Sequence, residues 1–558
     1  MLVEWPVQFD SPLHQPMHRL ADSSSHQFSV PMPPATRRIA AIDIGSNSVR
    51  QIVADVTSEG VITVVDEMKE APRLGADLDG TGRLGPQSME RAAQAIGRMA
   101  TLARQLEATR VEAVATSAVR DAANADEFVA LVKKEAALDI RVIGGEDEAR
   151  LSWLSALAHF DLGAGRTVVM DIGGGSLELA LAADGVLDDL TSLPFGALRL
   201  TEHYLRDGSS PKALRKLRKE VRAALKSVMP RADWRGAQVI GSGGTFTNLA
   251  GMHLARRGML VAGNVHETVV PRVDVEHILD TLAAMSTEER RNVPGLNPER
   301  ADIIVAGIAV AAEVLARLES REMTVSRYGI REGLLLELAR VTPTIADPGA
   351  ARERSVREFA ERCHYEEGHA TQVRRLALRL FDTIGQRIGC TPDERATLAD
   401  AALLHDVGYH INYDRHHKHS YHLIVHAELL GIAPDEQVVI ANVARYHRGS
   451  PPRKKHRNFG ELDKTLRDRI VRLSALLRLA DGLDRGHVGA VGDVRVRWLQ
   501  RSIRIAPTPA PGAGTIRLEL WGAHRKSQPL ADLAGCPVVI VGPDRSTLSS
   551  DDVSADDE

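Results

Sequence analysis

The sequence predicts an α/β fold of two duplicated lobes, followed by an all-helical domain and a small C-terminal α/β or β segment. Three observations predict it. An apolar strand, an Asp-Ile-Gly turn and a second strand occur in that order twice, from Ile39 and again from Thr167. Between about Ala350 and Asp484 apolar residues recur at helical spacing, as in Val373, Leu376, Leu380 and in Leu398, Ala401, Leu404. From about Val491 the period returns toward two, in Val494 to Trp498 and Ile516 to Leu520.

Taken in order, Ile39 to Ile42 reads as a strand, running through the turn Asp43 to Ser48 into a strand from Val49 to Val56. Ser58-Glu59-Gly60 is a hairpin signal before a third strand, Val61 to Val65. A helix is expected over about Ser88 to Leu106, a strand over Val111 to Ala115, and a helix N-capped by Asn124. Ile140 to Ile143 is a strand, and the helix starting near Glu146 carries Glu148 in its first turn. The pattern then repeats: strand Thr167 to Met170, turn Asp171 to Ser176, strand Leu177 to Leu181, hairpin at Ala183-Asp184-Gly185. A third glycine turn, Gly241 to Thr245, follows the strand around Val239 and Ile240, and Ser326 to Gly333 leads into a helix to about Val341. These breaks divide the chain into a disordered tail (1–38), a first lobe (39–165), a second lobe (166–342), a helical domain (343–490), a small C-terminal domain (491–545) and an acidic tail (546–558).

Bulk composition narrows the function. A chain of 558 residues is too long for one core. Aromatics make up 4%, which argues against a base-stacking platform and so against a nucleic-acid partner. The net charge of -4 conceals 70 basic and 74 acidic residues, so local clusters matter more than the total. Cys363, Cys390 and Cys536 form no CxxC pair and read as idle thiols of a reducing cytoplasm. No run of about 18 apolar residues predicts a membrane span, and the first ~38 residues lack the pattern of a secretory signal.

Glycine turns let the backbone approach an anion and aim several N–H groups at it. Gly45, Ser46, Asn47 and Ser48 in the first turn, and Gly173, Gly174, Gly175 and Ser176 in the second, suit a phosphate chain held from both sides. Asp43 and Asp171 would repel phosphate unless they bind a metal ion or orient water. Glu178 leaves the second turn on the face of Ser176 and can reach a metal. Glu148 can orient or deprotonate water, although a Glu in a first helical turn is also an ordinary dipole interaction. Arg120 is a candidate clamp on phosphate oxygens, or a plain surface arginine.

Together these segments resemble the exopolyphosphatase and guanosine pentaphosphate phosphohydrolase (Ppx/GppA) family of the actin-like, ribonuclease H-like superfamily of sugar kinases, Hsp70 and actin (ASKHA). The matching residues are Asp43 to Ser48, Thr116-x3-Arg120-x-Ala122-x-Asn124, Gly145 to Arg150, Asp171 to Glu178, Gly241 to Thr245, Pro294-Gly295-Leu296, Arg300-Ala301-Asp302 and Ser326 to Gly333. The resemblance implies Mg2+-dependent (or Mn2+-dependent) removal of terminal phosphate from inorganic polyphosphate, or of the 5'-terminal phosphate from guanosine pentaphosphate, by a cytoplasmic homodimer. It makes Glu148 the catalytic base and gives Asp171 and Glu178 the metal or the attacking water. Arg120, the two turns and Gly243, Gly244 and Thr245 would bind phosphate. Glu146 and Asp147 make this neighbourhood unusually acidic.

In the helical segment, His369, the pair His405-Asp406, and Asp481 follow the ligand order of HD phosphohydrolases, whose imidazoles and carboxylates suit a divalent metal. This is a possible second metal site. His416 to Tyr421 and Arg445 to Arg448 resemble the helical domain of longer members of the same family, and Arg453 to Arg457 fits either a polyanion path or a solvated loop. Exopolyphosphatase is the leading reading. The alternatives are the guanosine pentaphosphate hydrolase, a phosphotransferase to ADP, a polyphosphate or guanosine tetraphosphate sensor, and an HD phosphodiesterase regulated by the lobes.

Overall fold

The computed structural model describes residues 36–549, apart from 77, 163, 230–233, 260–263, 342–347 and 428. Most of the anticipated N-terminal tail, the break at Pro343 and the acidic end Asp551 to Glu558 therefore lie outside the described residues.

Strands β1 (Thr36–Ile44), β2 (Val49–Thr57), β3 (Ile62–Glu70), β4 (Arg110–Ala115) and β5 (Ile140–Val142) form a five-stranded sheet in the order β3-β2-β1-β4-β5. The central strand is an apolar run, Ile39 to Ile42, buried on both faces, as a sheet covered on both sides requires. The second sheet holds β6 (Arg166–Ile172), β7 (Leu177–Ala183), β8 (Val186–Leu193), β9 (Gln238–Ser242), β10 (Val269–Pro271) and β11 (Glu322–Val325), in the order β10-β11-β9-β6-β7-β8. Without the edge strand β10, the two orders are the same. In both sheets the first strand pairs antiparallel with the second and parallel with the fourth. Both also carry a register shift at the same place, between Val53 and Ala54 in β2 and between Leu181 and Ala182 in β7. A shared bulge is a specific backbone feature, and its recurrence supports duplication more strongly than the turns alone.

The two lobes exchange helices. Ala149, Trp153 and Ala156, on the helix Gly145–His159, pack with Val169, Ala180 and Ile240 of the second sheet. Leu334, Leu335 and Leu338, on the helix Ile330–Ala339, pack instead on Ile39, Ile52 and Val114 of the first sheet. The helix Ile304–Leu318, which the sequence reading passed over, is apolar on nearly every side and is buried accordingly.

Helices from Pro348–Arg362 to Lys464–Gly482 make up the helical unit, and its core is continuous with that of the second lobe. Beyond it β12 (Val491–Trp498), β13 (Ile503–Pro509), β14 (Val538–Val541) and β15 (Thr547–Ser549) form a four-stranded sheet. Two local expectations need correction. Ile516 to Leu520 is not extended: Arg517–Arg525 is a helix, because the buried positions are Ile516, Glu519, Leu520 and Ala523, a helical spacing, while Leu518 faces solvent. Asn124 precedes its helix but does not cap it. Its Oδ1 accepts from Leu84 N at 2.8 Å and its Nδ2 donates to Leu84 O, tying down a distant loop.

Candidate active site between the lobes

The two Asp-Ile-Gly turns are closed alike. Gly45 N donates to Ser48 O at 3.1 Å, and Gly173 N donates to Ser176 O at 3.0 Å. They face one another directly. A side chain on Gly175 would stand 2.2 Å from Ser117 Oγ and 2.7 Å from Ser46 Oγ, so the approach needs glycine. Ser46 and Ser117 hydroxyls meet at 3.0 Å.

The duplicated register places unlike residues at like positions. Asp43 lies opposite Arg50 across β1 and β2, and Asp171 lies opposite Glu178 across β6 and β7. One half therefore offers a guanidinium where the other offers a carboxylate. Both line a single cleft, together with Glu148 from the exchanged helix and Arg300, Arg327 and Arg331 from the second lobe's later segments.

Asp43, Glu148, Asp171 and Glu178 all feel burial first. It pushes Asp43 up to about 6 against the pull of Arg50 and Arg331. It pushes Glu148 up to about 8 although Arg120 pulls the other way. Asp171 is raised even though it accepts from Ser242 Oγ at 2.8 Å and Ser152 Oγ at 3.3 Å. Glu178 is raised well above the usual range by burial and then by the charge of Glu148, and it accepts from Ser192 Oγ at 3.0 Å. Asp43 Oδ1 is buried with no hydrogen-bond donor among the described residues. Oxygen ligands crowded like this suit a hard divalent cation.

The opposite sign is also stranded. No described carboxylate lies within ion-pairing distance of Arg50 or Arg300. Burial lowers both; Arg331 lowers Arg50 further, and Arg50 in turn lowers Arg300, bringing it to about 10. Arg300 packs so tightly on Gly244 that a side chain there would overlap its guanidinium, 2.1 Å from Cζ. Two desolvated guanidiniums without carboxylates have the chemistry to accept anionic oxygens.

Of the residues anticipated from sequence, Asp43, Gly45 to Ser48, Glu148, Asp171, Gly173 to Ser176, Glu178, Gly243 and Gly244 all line this cleft. Two do not. Arg120 turns to Glu148, with NH1 2.5 Å from Oε1 and 2.9 Å from Ile143 O, so it holds the carboxylate rather than reaching into the cleft. Thr245 is fully buried beneath the turn, close to Gly307. Sequence reasoning missed Arg50 as a site residue and quoted Arg300, Arg327 and Arg331 only as parts of motifs. Arg50 carried a signal, since it occupies in one repeat the place of Glu178 in the other.

In the helical unit, His369, His405, Asp406 and Asp481 do come together. His369 Nε2 stands 3.2 Å from His405 Nε2, 3.6 Å from Asp481 Oδ1 and 3.7 Å from Asp406 Oδ2. All four are buried. Asp484, which was not anticipated, takes His369 Nδ1 at 2.8 Å.

Comparison with known proteins decides the ancestry. Residues 52–341 match the model of the Ppx/GppA phosphatase family, and residues 351–504 match that of Ppx/GppA phosphatase, domain III. The chain belongs to the Ppx/GppA phosphatase family. It is similar to a guanosine-5'-triphosphate,3'-diphosphate pyrophosphatase of Pseudoalteromonas atlantica, with 28% identity over 451 residues, 79% of this chain and 86% of that one. Among solved structures it resembles an exopolyphosphatase from Cytophaga hutchinsonii, 25% identical, with a TM-score of 0.50 over 55% of this chain and 100% of that one. It also resembles an exopolyphosphatase-like protein, 26% identical, with a TM-score of 0.51 over 55% and 98%. The lobes are thus the duplicated actin-like fold of this family, and the helical unit is its third domain. Among the described residues, no helix is long and apolar enough to cross a membrane.

Proposed function

We propose that the chain is an exopolyphosphatase, hydrolysing the terminal phosphoanhydride of inorganic polyphosphate in the cleft between the lobes. The observation that carries this is the pair of desolvated arginines without carboxylate partners, Arg50 and Arg300, facing two glycine turns and four buried carboxylates in one cleft. The arginines and the N–H groups of Ser46, Asn47, Gly174 and Gly175, which the turn-closing hydrogen bonds leave over, bind phosphate oxygens. Glu148, held by Arg120, takes a proton from water as that water adds to the terminal phosphorus. The bridging P–O bond breaks in line, and the shortened chain leaves as an anion on the arginine side. Asp171 and Glu178 would hold magnesium, which when bound offsets the phosphate charge.

Hydrolysis of guanosine pentaphosphate is the second reading, favoured by the name of the relative that shares most of the chain. Among the described residues lining the cleft none is aromatic, so no ring is there to stack a guanine, which supports the polyphosphate reading.

The test is phosphate release with magnesium from long-chain polyphosphate and from guanosine pentaphosphate, for wild type and Glu148→Gln. Faster release from polyphosphate, abolished in the variant, is expected. Release chiefly from the nucleotide would transfer the assignment. Formation of ATP from polyphosphate and ADP would make the chain a phosphotransferase, and Glu148-independent release would remove the cleft from the mechanism.

A further inference from the structure

The two carboxylate oxygens of Asp406 face different neighbours. Its Oδ2 lies 3.4 Å from His405 Nε2, on the side of His369 and Asp481. Its Oδ1 lies 3.2 Å from His416 Nε2 and 3.4 Å from His447 Nε2. One carboxylate thus stands between two pairs of imidazoles.

The outer nitrogen of every ring is taken. Nδ1 of His405, His447 and His416 lies 2.8, 2.6 and 3.1 Å from the carbonyls of Ala402, Ala444 and Tyr413, and Nδ1 of His369 meets Asp484. Carbonyls and carboxylates only accept, so each Nδ1 carries the hydrogen, and a neutral ring then presents a bare Nε2 inward. Yet the Nε2 atoms face one another in pairs, 3.2 Å apart for His369 and His405 and 3.3 Å apart for His416 and His447. Two bare lone pairs at that distance repel, so each pair must share either a proton, with one ring an imidazolium donating from Nε2, or a metal ion. Asp406 Oδ1, in a side chain that is itself buried, has no hydrogen-bond donor among the described residues.

We propose that this cluster binds two divalent metal ions bridged by Asp406, one on His369, His405 and Asp481 and the other on His416 and His447, and that the pair is a second phosphohydrolase centre. It does not rest on the reading of the interlobe cleft. Imidazole with carboxylate favours manganese, iron or zinc over magnesium.

A cavity of about 320 Å³ opens above the cluster. Its rim carries Arg448, Arg485 and Arg525, none with a carboxylate in ion-pairing distance among the described residues. A cationic rim over a floor of metal ligands fits a small phosphate ester, with its oxygens on the arginines and its phosphorus toward the ions. Trp521, Arg525 and Lys526 come from the C-terminal segment, and Lys526 pairs with Asp481. Closing this site is therefore what that segment contributes. In the reaction, water adds to phosphorus, the P–O bond to the leaving group breaks, and the water proton passes to the leaving oxygen. No other reactant is needed.

The test uses the full chain in a Glu148→Gln background, which silences the interlobe cleft. The protein is stripped with chelator, reloaded with Mn2+ and gel-filtered, and its manganese is counted. Relative to this parent, Asp406→Asn should lose two ions, and His416→Ala and His369→Ala one each. The parent should show the electron paramagnetic resonance of an exchange-coupled manganese pair, and each variant should lose it. The loaded parent should also hydrolyse p-nitrophenyl phosphate or its bis ester, and His416→Ala should abolish that hydrolysis. His447→Gln, checked for native circular dichroism, keeps the count decisive if His416→Ala does not fold. An unchanged manganese count in His416→Ala and His447→Gln overturns the dinuclear site. Two bound ions without hydrolysis of either ester overturn the catalytic assignment.

Discussion

Arg300 is 8% exposed, lies against Gly244, and meets Arg50 rather than a carboxylate. Burial, then Arg50, brings its pKa down from the ordinary arginine range to about 10. At about 1.4 kcal/mol per pKa unit, keeping the charge in place costs the free protein roughly 3 kcal/mol. The sign follows from proton binding. Between about 10 and the ordinary arginine range the unfolded chain holds more protons than the folded one, so stability rises with pH there. Below that window the full penalty is present and does not vary with pH. Arg300→Met keeps much of the length and removes the charge. Against the loss of some packing, it should stabilise the ligand-free protein by about 1–2 kcal/mol at pH 7–8. A charged hydrogen bond to phosphate is worth about 1.5–3 kcal/mol, so kcat/KM for polyphosphate should fall about 10- to 150-fold. Urea unfolding without ligand and steady-state phosphate release measure the two effects. If Arg300→Met is less stable than wild type and keeps its kcat/KM, the reasoning about a stranded phosphate-binding charge fails.

Three further outcomes follow from the same structure. As the proposed base, Glu148 must be ionised to act, and burial holds it at about 8, so log kcat/KM should climb with pH and flatten above that value, and Arg120→Gln, which removes the pull on the carboxyl, should move this limb to higher pH. A pH profile of both proteins checks it, and an unmoved limb counts against the role of Arg120. A side chain at Gly196 would lie 2.3 Å from the backbone of Gly174 and Gly175, so Gly196→Ala should cost about 1–3 kcal/mol in urea unfolding and spread the second phosphate turn, lowering activity as well. Burial pushes Glu313 up, but Arg222 and Arg218 outweigh it and hold the carboxyl below the usual range, so its stabilising contribution is present above the ordinary glutamate range and fades as pH falls through its own lowered value. Glu313→Gln should therefore destabilise by about 1–3 kcal/mol at pH 7, with the difference from wild type shrinking in acid.

Much of the fold was legible from sequence because its signals are local. Apolar runs such as Ile39 to Ile42, the twice-repeated Asp-Ile-Gly turn and the helical spacing of Leu398, Ala401 and Leu404 depend on neighbours a few residues away. The same locality misled at Ile516 to Leu520, where alternation in a short stretch concealed the longer helical period that burial reveals. Asn124 failed for the opposite reason, since its amide serves Leu84, 40 residues earlier.

At the sites, sequence by itself determined which chemistry was present, because glycine turns, buried carboxylates and the His-Asp pair carry their residue types openly. Only the tertiary structure decided how they are shared out. It turned Arg120 onto Glu148, 28 residues away, and left Arg50 and Arg300 with no described carboxylate in ion-pairing distance. It set His416 and His447 on the free oxygen of Asp406 and folded Lys526 back onto Asp481, 45 residues away. Such pairings are fixed by packing between distant segments and by the need of each buried charge for a partner, and neither leaves a periodic trace in the chain.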